Sequence, residues 1–96
     1  MLADEMQQPL RWIYMSFARP KSLGGFLGGL WIKARGQTHA MILSHQEHLN
    51  PGDCEVHFAE VEGIEIPNKW ANRLLSVTEL KEMDTDMGGS GEVERF

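Results

Sequence analysis

Histidines and a single cysteine are the residues in this sequence best suited to metal binding or nucleophilic catalysis. His45 and His48 are three positions apart, a spacing that makes two side chains neighbours on a helix. Together with Cys54 or His57 they would form a ligand set that zinc accepts. The spacing matches no established zinc motif, however, and the ligands would have to meet across a proline-glycine turn. We therefore predict packing or surface histidines and no metal site.

A cysteine enzyme would need a base beside Cys54, and His57 is the nearest in sequence. On one strand, residues three apart point to opposite faces, so this pair is poorly placed. His45 could serve only if the fold brought it close. No Ser-His-Asp order stands out, and the acidic residues show no sign of pairing. The sequence predicts a protein that is not an enzyme and has no cofactor.

The glycine-rich stretch GGFLGG, residues 24–29, offers backbone N–H groups that could hold an anion. Arg19 and Lys21 lie close by, so an anionic, nucleotide-like ligand held by Arg19, Lys21, Gly24 and Gly25 is an alternative hypothesis. The stretch lacks the P-loop pattern and precedes a predicted strand, whereas P-loops and dinucleotide motifs precede a helix. We favour a hairpin connection with glycine at its tight positions.

Trp31, Lys33 and Arg35 share one face of the strand that follows. A tryptophan among basic residues is typical of protein interfaces. The same strand is predicted to lie at a sheet edge, where two copies could pair. The sequence therefore predicts binding of a protein partner, or of a second copy as a homodimer, through these three residues and this edge.

Length and composition indicate one small globular domain: the chain has 96 residues, of which 42% are hydrophobic. No apolar run approaches the roughly 18 residues that a membrane-spanning helix needs. The first residues do not resemble a signal peptide, and a lone cysteine cannot form an internal disulfide. We expect a cytoplasmic protein without membrane contact.

Charge is distributed unevenly along the chain. The formal net charge is −5, with +3 on residues 1–36 and −8 on residues 37–96. Nucleic-acid binding requires a basic surface to neutralise phosphates, so it is disfavoured for the whole chain. A basic patch on the first two strands remains open.

Periodicity and capping signals predict an α+β fold. The predicted elements are strands at 10–18, 26–35 and 54–61, a helix at 37–49 with Thr38 as its N-cap, a helical turn at 69–75 and a short helix at 77–83 after a Ser76–Glu79 capping box. Residues 1–9 are predicted to be a flexible tail, 10–83 the domain, and 84–96 a disordered acidic and glycine-rich tail.

A right-handed crossover places strand three beside strand one, which gives a three-stranded sheet of order 2-1-3 with a β-β-α-β core. The main helix covers one face of this sheet. The other face is expected to be covered by the segment containing Trp70, Leu74 and Leu75, or by a second subunit.

Several segments carry a resemblance to a known class of proteins: WIYMSFA at 12–18, GFLGG at 25–29, SH at 44–45 with LNPG at 49–52, and NRLLS at 72–76 before Glu79 and Leu80. In this layout, over residues 10–82, the chain resembles small uncharacterised proteins of bacteriophages, prophages and bacterial mobile elements. The resemblance implies an origin but no activity. By analogy with small phage accessory proteins, we expect a non-enzymatic protein that binds a host protein or itself, or that sequesters a small molecule.

Overall fold

The chain folds around a four-stranded antiparallel sheet in a computed structural model that describes residues 2–61 and 63–87. The sheet order is β3-β1-β2-β4. The elements in chain order are α1 (Leu2–Glu5), β1 (Arg11–Ala18), a 3-10 turn (Lys21–Leu23), β2 (Phe26–Ala34), α2 (Gln37–Gln46), β3 (Glu55–Val61), β4 (Leu74–Leu75) and α3 (Val77–Asp86).

The α+β class and the central position of β1 are confirmed. β1 pairs with β2 through Ile13 and Ile32, and with β3 through Ile13 and Glu60. The prediction of only three strands is wrong, because Leu74 and Leu75 pair with Leu30 and Gly29 as a fourth strand. The predicted helical turn at 69–75 therefore ends before these two residues.

The pairing of β4 has a tertiary cause that local propensity does not contain. The backbone of β2 needs hydrogen-bond partners along its outer edge. Asn72 donates its N–H to the carbonyl of Trp31 at 2.8 Å and adopts a positive φ of 57°. This turn directs the following leucines along β2 instead of into a helix.

One face of the sheet packs against α2. The alternating residues of β1 and β2 meet there as predicted, and the buried cluster comprises Ile13, Met15, Phe17, Leu30, Ile32, Ala34 and Ala40. Burial of the five large side chains among them, those other than the two alanines, contributes about 1.5–3 kcal/mol each to the stability of the fold. This cluster joins α2 to β1 and β2.

The N-terminus of α2 is capped from outside the helix. The predicted cap, Thr38, is instead the second helical residue, and its N–H donates to Glu5 Oε1 at 3.2 Å. The N–H of His39 donates to the other carboxylate oxygen. Residues 1–9 were predicted to be a flexible tail, but residues 2–5 form α1 and Glu5 supplies this cap.

The other face of the sheet packs against α3 and the segment before it. Its buried residues are Trp12, Ile66, Trp70, Ala71, Leu75 and Met83. The predicted cover is thus present for Trp70 and Leu75, whereas Leu74 packs against the first cluster because neighbouring strand residues face opposite ways.

Helix α3 begins as predicted and ends later. The Ser76 hydroxyl accepts the Glu79 N–H at 3.2 Å, and the Glu79 carboxylate accepts the Ser76 N–H at 2.9 Å. The helix continues to Asp86, three residues beyond the predicted end near residue 83 and inside the segment that was predicted to be disordered. The rest of that prediction, residues 88–96, lies outside the described residues.

Candidate partner-binding groove

Two aromatic side chains form a wall on the α3 side of the sheet. Tyr14 on β1 and Trp31 on β2 are directly opposite each other in the antiparallel register. Their ring centroids are 5.0 Å apart and the ring planes are inclined by 48°. Tilted aromatic pairs at this distance are favourable. Both residues are half-buried, so part of the wall faces outward.

Helix α3 supplies the opposite wall. Leu80, Met83 and Met87 follow one another at spacings of three and four, which places them on one face of the helical segment. The space between the walls is a groove of about 370 Å³. We call it the aromatic groove; it is lined by Tyr14, Trp31, Ile64, Leu80, Met83, Asp84 and Met87.

The aromatic groove is mostly apolar, with an acidic group among its lining residues. Asp84 is half-buried and follows Met83 on α3. The Tyr14 hydroxyl can donate a hydrogen bond at neutral pH, since burial raises a pKa that already lies near 10. An apolar surface of this kind beside a carboxylate suits a group that combines an apolar body with a positive charge.

A glycine makes room for the tyrosine. A Cβ on Gly29 would collide with the hydroxyl and ring of Tyr14. The Gly29 residue itself is buried and lies on the same strand as Trp31. The absence of a side chain at position 29 therefore permits the position of Tyr14 in the groove wall.

A second pocket, of about 360 Å³, adjoins the groove and shares Ile64 with it. It is lined by Pro9, Leu10, Arg11, Trp12, Lys33, Val61, Gly63, Ile64 and Glu65. Lys33 Nζ lies 5.3 Å from the ring centroid of Trp12, a cation–π distance. Trp12 Nε1 is buried and has no hydrogen-bond partner within residues 2–61 and 63–87.

The predicted partner-binding residues do not form one patch. Trp31 lines the aromatic groove, and Lys33 lines the neighbouring pocket. Arg35 follows the end of β2, where its Nη1 donates to the carbonyl of Gln8 at 2.9 Å. Its backbone N–H donates to His39 Nδ1, also at 2.9 Å.

The predicted free edge of β2 is occupied at Gly29 and Leu30, where β4 pairs with it. A bridge between Trp31 and Ala71 extends the contact by one residue. Edge-to-edge pairing of two copies through this part of β2 would require β4 to leave. The prediction that β2 lies at a sheet edge is therefore wrong for Gly29, Leu30 and Trp31.

The residues predicted to bind an anion are linked chiefly to their own loop and to the turn before β3. The N–H groups of Gly24 and Gly25 donate to the carbonyls of Lys21 and Pro20 at 3.3 and 3.2 Å. Arg19 donates from Nε to the carbonyl of Asp53 at 2.9 Å and from Nη2 to that of Gly52 at 3.0 Å. Lys21 is exposed. These contacts hold the loop against the turn before β3.

The histidines and the cysteine are dispersed. His45, His48 and His57 are exposed, while Cys54 packs against the α2 side of the sheet. Within the described ranges, no group of three His, Cys, Asp or Glu residues could hold a metal ion.

Of the residues lining the aromatic groove, only Trp31 was predicted from the sequence to bind a partner. Alternation along 10–18 already places Tyr14 on the same side as Trp12, so that signal was present. Met87 and Asp84 were missed because they lie in the segment whose composition indicated disorder.

No helix in the described part of the chain is long and apolar enough to cross a membrane. The chain matches no protein-family model, and neither curated proteins nor solved structures show a significant similarity to it. Its function must therefore be inferred from its own geometry.

Proposed function

We propose that this is a non-enzymatic protein-binding module. The aromatic groove receives an apolar side chain of a partner protein, and Asp84 pairs with a basic residue beside that side chain. The observation that carries this proposal is the Tyr14–Trp31 pair facing Leu80, Met83 and Met87 across an open groove. The groove thus has the composition of an interaction hot spot, in which aromatic residues and methionine are enriched.

Charge supports the choice of partner. Asp84 is among the residues that line the groove, and α3 also carries Glu79, Glu82 and Asp86 against a single base, Lys81. The net charge of the chain is −5. Electrostatic complementarity accelerates association with an oppositely charged partner and disfavours acidic ones. A hydrophobic anchor flanked by Arg or Lys is therefore the recognised chemistry.

A selection from a library of random peptides, carried out on the full chain, tests this proposal. We expect the selected peptides to share an aromatic or large aliphatic residue next to Arg or Lys. Leu80→Lys should weaken their binding about tenfold or more, because it places a charge in the groove. Thr78→Lys is the matched control, since Thr78 is exposed on the same helix and does not line the groove.

Asp84→Lys separates the electrostatic part of recognition from the apolar part. It should shift the selected sequences from basic to acidic or neutral flanks. Glu82→Lys changes the charge of the same helix by the same amount at an exposed position outside the groove. Peptides that bind Leu80→Lys and Asp84→Lys as well as the parent would exclude the groove as the binding site.

The other predictions from the sequence stay open as proposals. An origin in phages or mobile elements rests on the resemblance alone. A homodimer would use strand edges other than the part of β2 that β4 covers, and native mass spectrometry measures it directly. Binding of an anionic ligand at Arg19 and Lys21 would require the loop contacts described above to rearrange, and a thermal shift with nucleotides tests it.

A further inference from the structure

The aromatic groove has a candidate occupant within the same chain. Met87, the last described residue, lines the groove, and nine residues follow it: Gly88, Gly89, Ser90, Gly91, Glu92, Val93, Glu94, Arg95 and Phe96. We propose that Phe96 occupies the groove intramolecularly, with Arg95 beside Asp84, and so competes with the external partner. This inference rests on the proposed function, because it concerns regulation of the same groove.

The reach of the chain permits this contact. Nine residues span at most about 30 Å when fully extended. The attachment point, Met87, is itself part of the groove wall. The segment therefore needs only to reverse direction to bring position 96 back to the groove. Three of its first four residues are glycines, which permit tight turns.

The side chains of residues 88–96 differ in how well they match the aromatic groove. Phe96 and Val93 are the apolar side chains of residues 88–96, and Arg95 is the basic one. The pair Arg95–Phe96 thus has the combination that the groove is proposed to recognise, an apolar group next to a positive charge. Asp84, as a lining residue on the preceding helix, is the complementary carboxylate.

Tethering makes even a weak contact significant. A ligand on a linker of this length has an effective concentration on the order of 1 mM. If the same residues bound as a free peptide with a Kd of about 0.1 mM, the tethered segment would occupy the groove in about ten of every eleven molecules. An external partner would then bind the parent chain about tenfold more weakly than a chain that lacks the apolar side chain at 96.

Photo-crosslinking in the full chain tests the contact. The variant Phe96→p-benzoylphenylalanine, irradiated at low protein concentration, should form an intramolecular adduct on a residue that lines the groove, such as Trp31, Met83 or Met87. Adducts only between two copies, adducts only at residues outside the groove, or no adduct would each overturn the intramolecular contact. Peptide mapping by mass spectrometry distinguishes these results.

A charge exchange then tests the role of Arg95. In the photoreactive background, Arg95→Glu should weaken the contact about two- to fivefold, as expected for loss of an exposed ion pair, and so lower the occupancy of the groove, and with it the adduct yield, by about a tenth to a quarter. Adding Asp84→Lys should restore the yield, whereas adding Glu82→Lys should not. Equal yields in all four chains would exclude the Arg95–Asp84 pair.

Peptide selection separates a failure of self-occupation from a failure of the groove to bind an external partner. Selected peptides that bind Phe96→Ala no more tightly than the parent chain would overturn self-occupation while leaving the groove as a binding site. An intramolecular adduct, together with a failure of the Phe96→Ala chain to select any peptide, would support self-occupation and contradict the external partner.

Discussion

The ring of Tyr14 lies where a side chain at position 29 would be, so Gly29 and Tyr14 form a steric pair across β1 and β2. We expect Gly29→Ala to destabilise the fold by about 1–3 kcal/mol, the usual cost of overpacking. In a Tyr14→Leu background the same change should cost much less. A double-mutant cycle from urea denaturation measures this coupling, and additive costs would show that Tyr14 is not what the glycine accommodates.

The capping box at Ser76 and Glu79 should contribute measurably to stability, because it sets where α3 begins and thereby positions Leu80 and Met83 in the groove wall. We expect Ser76→Ala to lower the free energy of unfolding by about 1 kcal/mol. Thr78→Ala, two positions later on the exposed surface of the helix, is the control and should change it by less than about 0.5 kcal/mol. Equal losses in both variants would contradict a specific role for the cap.

Glu5 should make stability depend on pH in the acidic range. Desolvation by itself would raise the pKa of Glu5, but the N–H groups of His39 and Thr38, with a smaller contribution from the charge of His39, together lower it below its usual 4.5. A carboxyl whose folded pKa is depressed stabilises the fold above the unfolded pKa and loses that contribution as the pH falls through the folded value.

We therefore expect Glu5→Gln to reduce stability at neutral pH and to flatten the decline of stability below about pH 4.5. Asp4→Asn is the control, because the Asp4 carboxylate makes no hydrogen bond within the described ranges. Thermal melts between pH 3 and 7 compare the three chains. A steep acid decline that persists unchanged in Glu5→Gln would assign the pH dependence to other groups.

Arg19 should act as a structural residue. Its guanidinium donates to two consecutive carbonyls, those of Gly52 and Asp53, a geometry that the single ammonium of lysine does not reproduce. Arg19→Lys should cost about 1 kcal/mol of stability, and Lys21→Ala, at an exposed position, should cost less than about 0.5 kcal/mol. If instead Arg19→Lys leaves stability unchanged and abolishes a thermal shift by a nucleotide, the anion-binding alternative gains support.

Local patterns predicted the parts of this fold that depend on local physics. Alternation of residue types along β1 and β2 predicted their two faces, and the Ser76–Glu79 spacing predicted the start of α3. Both signals are carried by residues close together in the sequence. The cap of α2 could not be predicted in this way. Glu5 precedes Thr38 by 33 positions, and no local signal links the two.

The groove was predictable only in part for the same reason. Trp31 was identified from its neighbours in sequence, but its significance depends on Tyr14 across the sheet and on Met83 and Met87 from α3. The last turn of that helix has an acidic, weakly apolar composition that indicates disorder when read alone. Packing of Met83 into the second cluster supplies the stabilisation that the local sequence lacks.

Methionine methyl groups provide the most direct test of the groove, because they report separately on the two faces of the sheet. Met83 and Met87 line the groove, whereas Met15 and Met41 belong to the α2 side. The measurement is a methyl NMR titration of the Phe96→Ala chain with an arginine-phenylalanine peptide. We predict that the Met83 and Met87 signals shift with a common dissociation constant while those of Met15 and Met41 remain in place. Shifts confined to Met15 and Met41, or none at millimolar peptide, would contradict the account.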